Sequence, residues 1–339
     1  MSQKTNRPRA TLKDIAAATG FSANTVSLAL RDSPRLPECT RARILEEARR
    51  LNYTPNHIAR SLASNATRTI GLVLTDIMNP TLTLAARTIE RELAEAGYAM
   101  MFATSDTQLA SEMQALELFL SYQVDGMLIY PAHVGDHAHI KAVEEAGTPV
   151  LLLADLPGLG LDAVAIDDRA GARKVFSHFC ARGHRRFAML DGGRRLGNLD
   201  KLEGALRALR EAGLGDESIR VFEPESHAAA AAALVMDEIM ALDPRPTALF
   251  ASTDSLAIGA LHWCRQHGVR VPDDLAIAGY DNTEISAYGV LPLTTVNYAA
   301  DEISRIAVDR ILRRIENGAS GDAPETRLIE PELIVRASA

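Results

Sequence analysis

Cysteine is scarce and unpatterned in this chain of 339 residues. Cys39, Cys180 and Cys264 have neither metal-ligand spacing nor the even count of a disulfide framework, which suits a reducing compartment. No apolar run approaches the roughly 18–20 residues needed to cross a bilayer. The opening ten residues, Met1 to Ala10, are polar and basic, without the apolar stretch of a secretory signal. Export is therefore not expected, nor a membrane partner, and the expected location is the cytoplasm. The nine histidines show no H-E-x-x-H pattern, and phosphate-loop and G-x-G-x-x-G fingerprints are missing; the isolated pair Gly192-Gly193 is a weak sign. His133, His137 and His139 lie close together, but in a segment that reads as a loop, where solvated histidines are commoner than a metal site. With neither a nucleophile–base pair nor a metal cluster in view, no enzyme activity, metal or cofactor is expected.

What is present is ordinary globular material, 47% hydrophobic and 24% charged, in a length suited to two or three domains. The net charge of −8 hides a reversal. Residues 1–60 hold eleven Lys and Arg against five Asp and Glu, a balance of +6; Arg68 adds one more, leaving −15 on residues 69–339. A basic head on an acidic body concentrates attraction for phosphate at one end.

Residues 11–30 read as helix, turn and helix. Leu12, Ile15 and Ala16 form one apolar helical stripe and Val26, Ala29 and Leu30 another, with Gly20 at the bend, where a left-handed backbone costs least. Thr11 and Asp14 make a helix-start signal, Ser22 can cap the second helix, and a third helix is expected over 38–51. In this geometry the first residues of the second helix face base edges in the major groove: Ala23 and Asn24, with Leu28 one turn later. Asn24 can pair with adenine or bridge two bases, whereas Ala23 and Leu28 offer apolar contact such as a thymine methyl. The alternative for Leu28 is the head's own core, because Val26 and Leu30 already define the buried side.

The run continues with Asn52-Tyr-Thr-Pro-Asn-His-Ile-Ala-Arg-Ser-Leu-Ala63 and the strand-like Thr69-Ile-Gly-Leu-Val-Leu-Thr75. Farther on come Gly183-His184, Gly279-Tyr280-Asp281-Asn282 and Leu293-Thr294-Thr295-Val296. In order and spacing these motifs resemble the lac repressor/galactose repressor family of bacterial transcription regulators across essentially the whole chain. The resemblance implies a sequence-specific DNA-binding regulator, a repressor, whose homodimer binds a palindromic double-stranded operator and whose affinity is set by a small-molecule effector: a sugar, a sugar acid or a related metabolite. It implies phosphate-gripping roles at Thr11, Ser22, Thr25, Ser27, Arg31, Tyr53 and Asn56. It also implies a hinge helix around 55–64, in which Leu62 wedges into the minor groove and Arg60 reaches the adjoining backbone; the alternative is a linker whose Leu62 packs on the body. Many relatives carry Arg at the Leu28 position, so the usual guanine contact is missing here.

Beyond residue 69, short apolar runs alternate with helical segments, the pattern of parallel sheets covered on both faces. Strands are expected near 70–74, 99–103, 127–129, 150–153, 187–190, 248–251 and 275–278, and helices near 82–96, 109–122, 169–182, 200–212, 227–242 and 255–267. The expected fold is a small all-α helix-turn-helix head (1–55), a hinge and linker (56–68), and an α/β body (69–339). From the resemblance, the body comprises two doubly wound parallel-sheet subdomains like a periplasmic binding protein, about 69–167 with 298–326 and 168–297 with 327–339, and the chain crosses between them near Asp167, Asn297 and Arg327. Such sheets bind ligands outside the carboxyl ends of their strands. A periplasmic-type binding protein without DNA function shares this body but lacks such a head.

The resemblance places Asp281 as the principal effector contact, Lys201 where relatives carry arginine, Arg195 as a second basic contact, Phe222 as a stacking ring, and Thr75, Thr81, Thr253 and Tyr298 at remaining pocket positions. Asp254, next to Thr253, is a further pocket candidate but at least as well suited to capping the helix that follows. Ala154 stands where relatives have Asp, and Asp155 follows it, so its entry into the pocket is open. A neutral sugar is the expected ligand class, although Lys201 and Arg195 together could suit a ligand bearing a carboxylate or phosphate.

Overall fold

A computed structural model of the chain describes residues 10–31, 33–54, 66–132, 137–156, 158–191, 199–318 and 323–339. Two compact units divide between Thr67 and Arg68.

Among its described residues the first unit holds three helices, α1 (Leu12–Thr19), α2 (Ala23–Leu30) and α3 (Glu38–Arg50). α1 starts on a complete capping box: Asp14 N–H donates to Thr11 Oγ1, while Thr11 N–H donates to Asp14 Oδ2 at 2.7 Å. It stops at Gly20, whose φ of 76° lies in the left-handed region. Ser22 caps α2 by accepting from Thr25 N–H at 3.1 Å. Ile15, Val26, Ala29, Ile44 and Ala48 form the core, with Leu12, Ala16, Leu30 and Tyr53 packed against it. Both apolar stripes thus face one small interior.

The second unit contains two six-stranded sheets. The first runs β11-β5-β4-β3-β1-β2, all parallel, from β1 (Thr69–Leu74), β2 (Ala99–Thr104), β3 (Gly126–Ile129), β4 (Val150–Leu152), β5 (Asp162–Ile166) and β11 (Thr326–Ile329). The second runs β12-β10-β9-β8-β6-β7, from β6 (Phe187–Leu190), β7 (Ile219–Phe222), β8 (Ala248–Ala251), β9 (Ala276–Asp281), β10 (Thr294–Asn297) and β12 (Glu332–Ile334), parallel except for the antiparallel β10–β12 pair. Helices α4 (Pro80–Glu95), α5 (Leu109–Ser121), α6 (Ala138–Glu145) and α12 (Ala300–Asn317) belong to the first subdomain. To the second belong α7 (Asp168–Ala181), α8 (Asp200–Glu211), α9 (Ala229–Met240), α10 (Asp254–Gln266) and the short α11 (Glu284–Tyr288). Central strands such as β3, β4, β6 and β8 are buried at every position, as sheets covered on both faces require.

The chain leaves the first sheet at Asp167, returns after β10 at residues 298–299, and crosses a third time at 330–331. The last crossing lies past the expected Arg327, because residues 326–329 pair in parallel with β5 and so still belong to the first sheet. Strands β5, β7, β10, β11 and β12 and helices α6, α11 and α12 join the expected elements. The expected loop around the clustered histidines is partly helical, since His139 lies in α6; His133 lies outside the described residues. His137 is buried, and His139 Nε2 sits 2.6 Å from the fully buried Glu112 carboxylate, so neither is a solvated loop histidine. Among the described residues, no helix is long and apolar enough to cross a membrane, and no cluster of three or more potential ligands could hold a metal ion.

Candidate functional site

A cavity of about 350 Å³ lies among the carboxyl ends of both sheets, a size within the ~300–1,000 Å³ typical of small-molecule sites. The first subdomain contributes Thr75 and Asp76 after β1, Thr81 at the start of α4, Asp106 and Thr107 after β2, and Tyr130 after β3. Across from these stand Asp191 after β6, Lys201 on α8, His227 after β7, Ser252 and Thr253 after β8, and Tyr280 and Asp281 at the end of β9; Tyr298 reaches in from the second crossing. Parallel strands collect their carboxyl-end loops on one rim, and here two rims meet.

Among the described residues, Lys201 is the lysine or arginine of this wall. Its Nζ lies 3.1 Å from Asp168 Oδ1 and 4.4 Å from the centre of the Tyr280 ring. Burial alone would favour the neutral amine, but Asp168 and Asp191 outweigh it and hold Lys201 charged, above the ordinary lysine range. Gly204 makes this reach possible: a Cβ there would stand 2.1 Å from the Arg169 carbonyl oxygen, so α8 approaches α7 backbone to backbone. Asp281 is also pushed upward, well above the ordinary carboxylate range and so toward its neutral form, by burial first and then by the neighbouring Asp254 charge. Burial likewise raises the Tyr130, Tyr280 and Tyr298 phenols and lowers His227. At neutral pH these three tyrosines are neutral hydroxyls, able to donate and accept hydrogen bonds.

Of the effector positions singled out in the sequence, Thr75, Thr81, Lys201, Thr253, Asp281 and Tyr298 come together around this cavity. Asp155 and Phe222 are not part of its lining. Asp155 lies 3.7 Å from Arg169, which also binds Asp200 and Glu203; Phe222 ends β7 packed against the core of the second subdomain. Arg195 lies outside the described residues. Thr253, not Asp254, caps α10 through its hydroxyl, which accepts from Leu256 N–H. Asp76, Asp106, Tyr130, Asp191, Tyr280 and His227 were not singled out. Asp76 and Asp191 directly follow or closely trail a strand, so the carboxyl-end rule applied to each strand in turn would have found them.

In the head, Ala23 and Asn24 are exposed at the start of α2, and Leu28 is half-buried without joining the core cluster. The Ser27 hydroxyl accepts from Arg31 Nη2 at 2.8 Å, and Ser22 and Thr25 share their hydroxyls at 2.8 Å, so this polar face is ordered before any partner arrives. Thr11 is engaged in its capping box, and Tyr53 packs on the head core. Arg50, on the last turn of α3, pairs with Glu47 at 2.6 Å. Asn56, Arg60 and Leu62 lie outside the described residues.

Residues 11–56 match the model for bacterial regulatory proteins of the lacI family, and residues 176–339 match a periplasmic binding protein-like domain. The HTH-type transcriptional repressor CytR of Escherichia coli strain K12 is 30% identical over 346 residues, which cover 100% of this chain and 98% of that protein. The chain belongs to the lacI family. As a lacI-family protein it is a transcriptional regulator, not an enzyme, with a DNA-binding head and a body like a periplasmic binding protein. In fold it matches the lac repressor dimer bound to operator and the anti-inducer ONPF at a TM-score of 0.83, with 24% identity and 97% and 98% of the two chains covered. It also matches the transcriptional regulator CelR in complex with cellobiose at a TM-score of 0.72, with 27% identity, 98% of this chain and all of that one.

Proposed function

We propose that this lacI-family member is a cytoplasmic homodimeric repressor that reads a near-palindromic operator and answers to a small polyhydroxylated effector held between its two subdomains. The carrying observation is the cavity itself, where hydroxyls, carboxylates and phenols from eight strand ends converge on a volume fit for a mono- or disaccharide. Thr75, Thr81, Lys201, Thr253, Asp281 and Tyr298 are its proposed contacts. Among the described lining residues five carboxyl side chains, Asp76, Asp106, Asp191, Glu225 and Asp281, face one lysine already paired with Asp168. That balance favours an uncharged polyol over a sugar acid, because a ligand carboxylate would be repelled. The dimer reading draws on the apolar surface of the body: Ile285, Tyr288 and Val290 are exposed by 60%, 82% and 101%, more than an isolated protomer needs to show.

In the head, Ala23, Asn24 and Leu28 would meet base edges, while Thr11, Ser22, Thr25, Ser27, Arg31, Tyr53 and Asn56 grip phosphate. Arg60 and Leu62 would act in the minor groove. One eight-residue helix offers few base contacts, and two-fold symmetry doubles them.

The test pairs two measurements on the full chain. Selection from random duplexes should yield a palindrome of about 14–20 base pairs, half-sites a helical turn apart, bound at ~10⁻⁸–10⁻¹¹ M at physiological salt; a monomer with full affinity for a non-repeated site would defeat the dimer reading. A thermal-shift panel of neutral sugars, including cellobiose, beside sugar acids and sugar phosphates should give its largest shift with a neutral sugar, since ligand at 100 times its Kd adds about 2.7 kcal/mol. A largest shift with an acid would overturn the assigned ligand class. Asn24→Ala should cost about 1–3 kcal/mol at one base position per half-site; a uniform loss over all sequences would move Asn24 to a phosphate role.

A further inference from the structure

Behind Asp281 lies a set of buried polar side chains that lining a cavity does not explain. Asp281 has φ 115° and Asn282 φ 56°, two consecutive non-glycine residues in the left-handed region. Such a turn persists where its surroundings over-determine it. Two clasps do so here, one on each side.

The first comes from α10. Asp254 is fully buried; its Oδ2 accepts from the Thr283 N–H at 2.7 Å and the Thr283 hydroxyl at 2.9 Å, and its Oδ1 accepts from the Thr295 hydroxyl at 2.6 Å. The Thr295 oxygen in turn accepts from Asn282 N–H at 3.3 Å. Gly279 leaves room for this carboxylate, since a Cβ there would stand 2.4 Å from Asp254 Oδ1. The second comes from the carboxyl-terminal segment beyond β12. Arg336 Nη2 donates to Asn282 Oδ1 at 2.6 Å, and Nη1 donates to the Leu293 carbonyl at 2.7 Å and to Ser286 Oγ at 3.2 Å. The guanidinium spans the loop from Asn282 to Leu293, and its planar fork suits several fixed acceptors better than an ammonium would.

We propose that Asp254 and Arg336 are positioning residues for effector recognition, which through Thr283, Thr295 and Asn282 hold the left-handed turn that presents the Asp281 carboxyl to the cavity. The inference rests on the reading of Asp281 as an effector contact. It gives effector binding a pH dependence. The charged and titratable groups around Asp281 are Asp254 on α10, Lys201 on α8, Asp168 on α7, and the phenols of Tyr130, Tyr280 and Tyr298. Burial and then the Asp254 charge push Asp281 upward, against the pull of Lys201 and of the Asp254 backbone N–H. An ionised carboxylate accepts hydrogen bonds from effector hydroxyls on both oxygens, and the protonated form accepts fewer. Affinity for a neutral sugar therefore rises with pH through the Asp281 titration. Asp254→Asn keeps the shape and removes the charge, so it moves that rise to lower pH.

The decisive measurement needs no effector. In carboxyl-carbon NMR titrations of the full chain, with Asp281→Asn assigning the resonance, Asp254→Asn should lower the Asp281 midpoint by about one pH unit. Arg336→Ala should speed amide exchange at Asn282 and Thr283 about tenfold while β8 and α10 keep their protection. Should Arg336→Ala fail to fold, Arg336→Lys should show a smaller acceleration of the same sign. The sugar giving the largest shift in the panel should then bind Asp254→Asn with its pH profile displaced downward, where a purely structural loss would weaken binding equally at every pH. An unmoved Asp281 midpoint together with unchanged exchange at 282–283 would overturn the positioning role. If the clasp variants behave as expected but Asp281→Asn binds every sugar in the panel like the parent, the clasp stands and the reading of Asp281 as an effector contact falls.

Discussion

At the scale of single residues, the region around the cavity is a contest between burial and charge. Lys201 stays charged because two carboxylates offset its desolvation, whereas Asp200, the first residue of α8, is moved the other way. Its carboxyl is pushed up to about 6, by burial first and also by Asp168, Asp155 and Glu203, although Arg169 lies 2.7 Å away and opposes the shift. The folded chain therefore takes up a proton at Asp200 between the ordinary value of 3.8 and about 6, which the unfolded chain does not. This group adds to stability at low pH, loses that contribution as pH rises across that window, and leaves a constant cost above it. Urea unfolding of Asp200→Asn at pH 4 and pH 7 should show a gain over the parent on the order of 1–2 kcal/mol at pH 7 and little at pH 4. An equal gain at both would mean that the carboxylate charge is not the cause.

At the scale of elements, glycines decide how closely helices approach. The Lys-Leu-Glu-Gly motif places Lys201 and Gly204 nearly one turn apart, so the residue that lets α8 press on α7 also brings the lysine to Asp168. Gly204→Ala inserts a methyl against the Arg169 backbone, which cannot move aside as a side chain could. Overpacking of this kind costs about 1–3 kcal/mol, and the separated helices should lose the Lys201–Asp168 contact as well. Calorimetry should show a lowered melting temperature for the body, and the panel sugar should bind more weakly. A variant with reduced stability and unchanged sugar affinity would separate the two roles. The head should be indifferent, since its caps and core involve none of these residues.

At the scale of the whole molecule, three crossings join the two subdomains around the cavity, so a ligand touching both can bias their relative orientation. Coupling to DNA is bounded by linkage. An effector can shift operator affinity by no more than its differential affinity for the two body states, typically 1–3 kcal/mol, and operator must shift effector affinity by the same factor. Calorimetric titration of the panel sugar with and without saturating operator should therefore give Kd values differing by about 5–150-fold. Weaker binding on DNA identifies an inducer and tighter binding a corepressor. Equal values would leave a DNA-binding protein whose cavity is uncoupled from its head.

Much of this was legible in the chain. The capping box of Thr11 and Asp14, the Ser22 cap and the Gly20 bend are local signals, because the groups that satisfy a helix end lie within a few residues of it. The charge reversal at the head boundary and the central strands are composition and periodicity, and Asp281 and Lys201 were picked out by motif. Edge and crossing strands escaped: β7, β11 and β12 are short and partly polar, and β11 counts as a strand of the first sheet through its pairing with β5, 163 residues away in sequence. Asp155 and Phe222 could not be placed from sequence either, because one turned residue or one core contact decides which way a side chain points. Tertiary structure alone set the electrostatics. Desolvation and charge act through space, and Asp168 with Lys201, or Asp254 with Asp281, become neighbours only after strands distant in sequence align their carboxyl ends on a common rim.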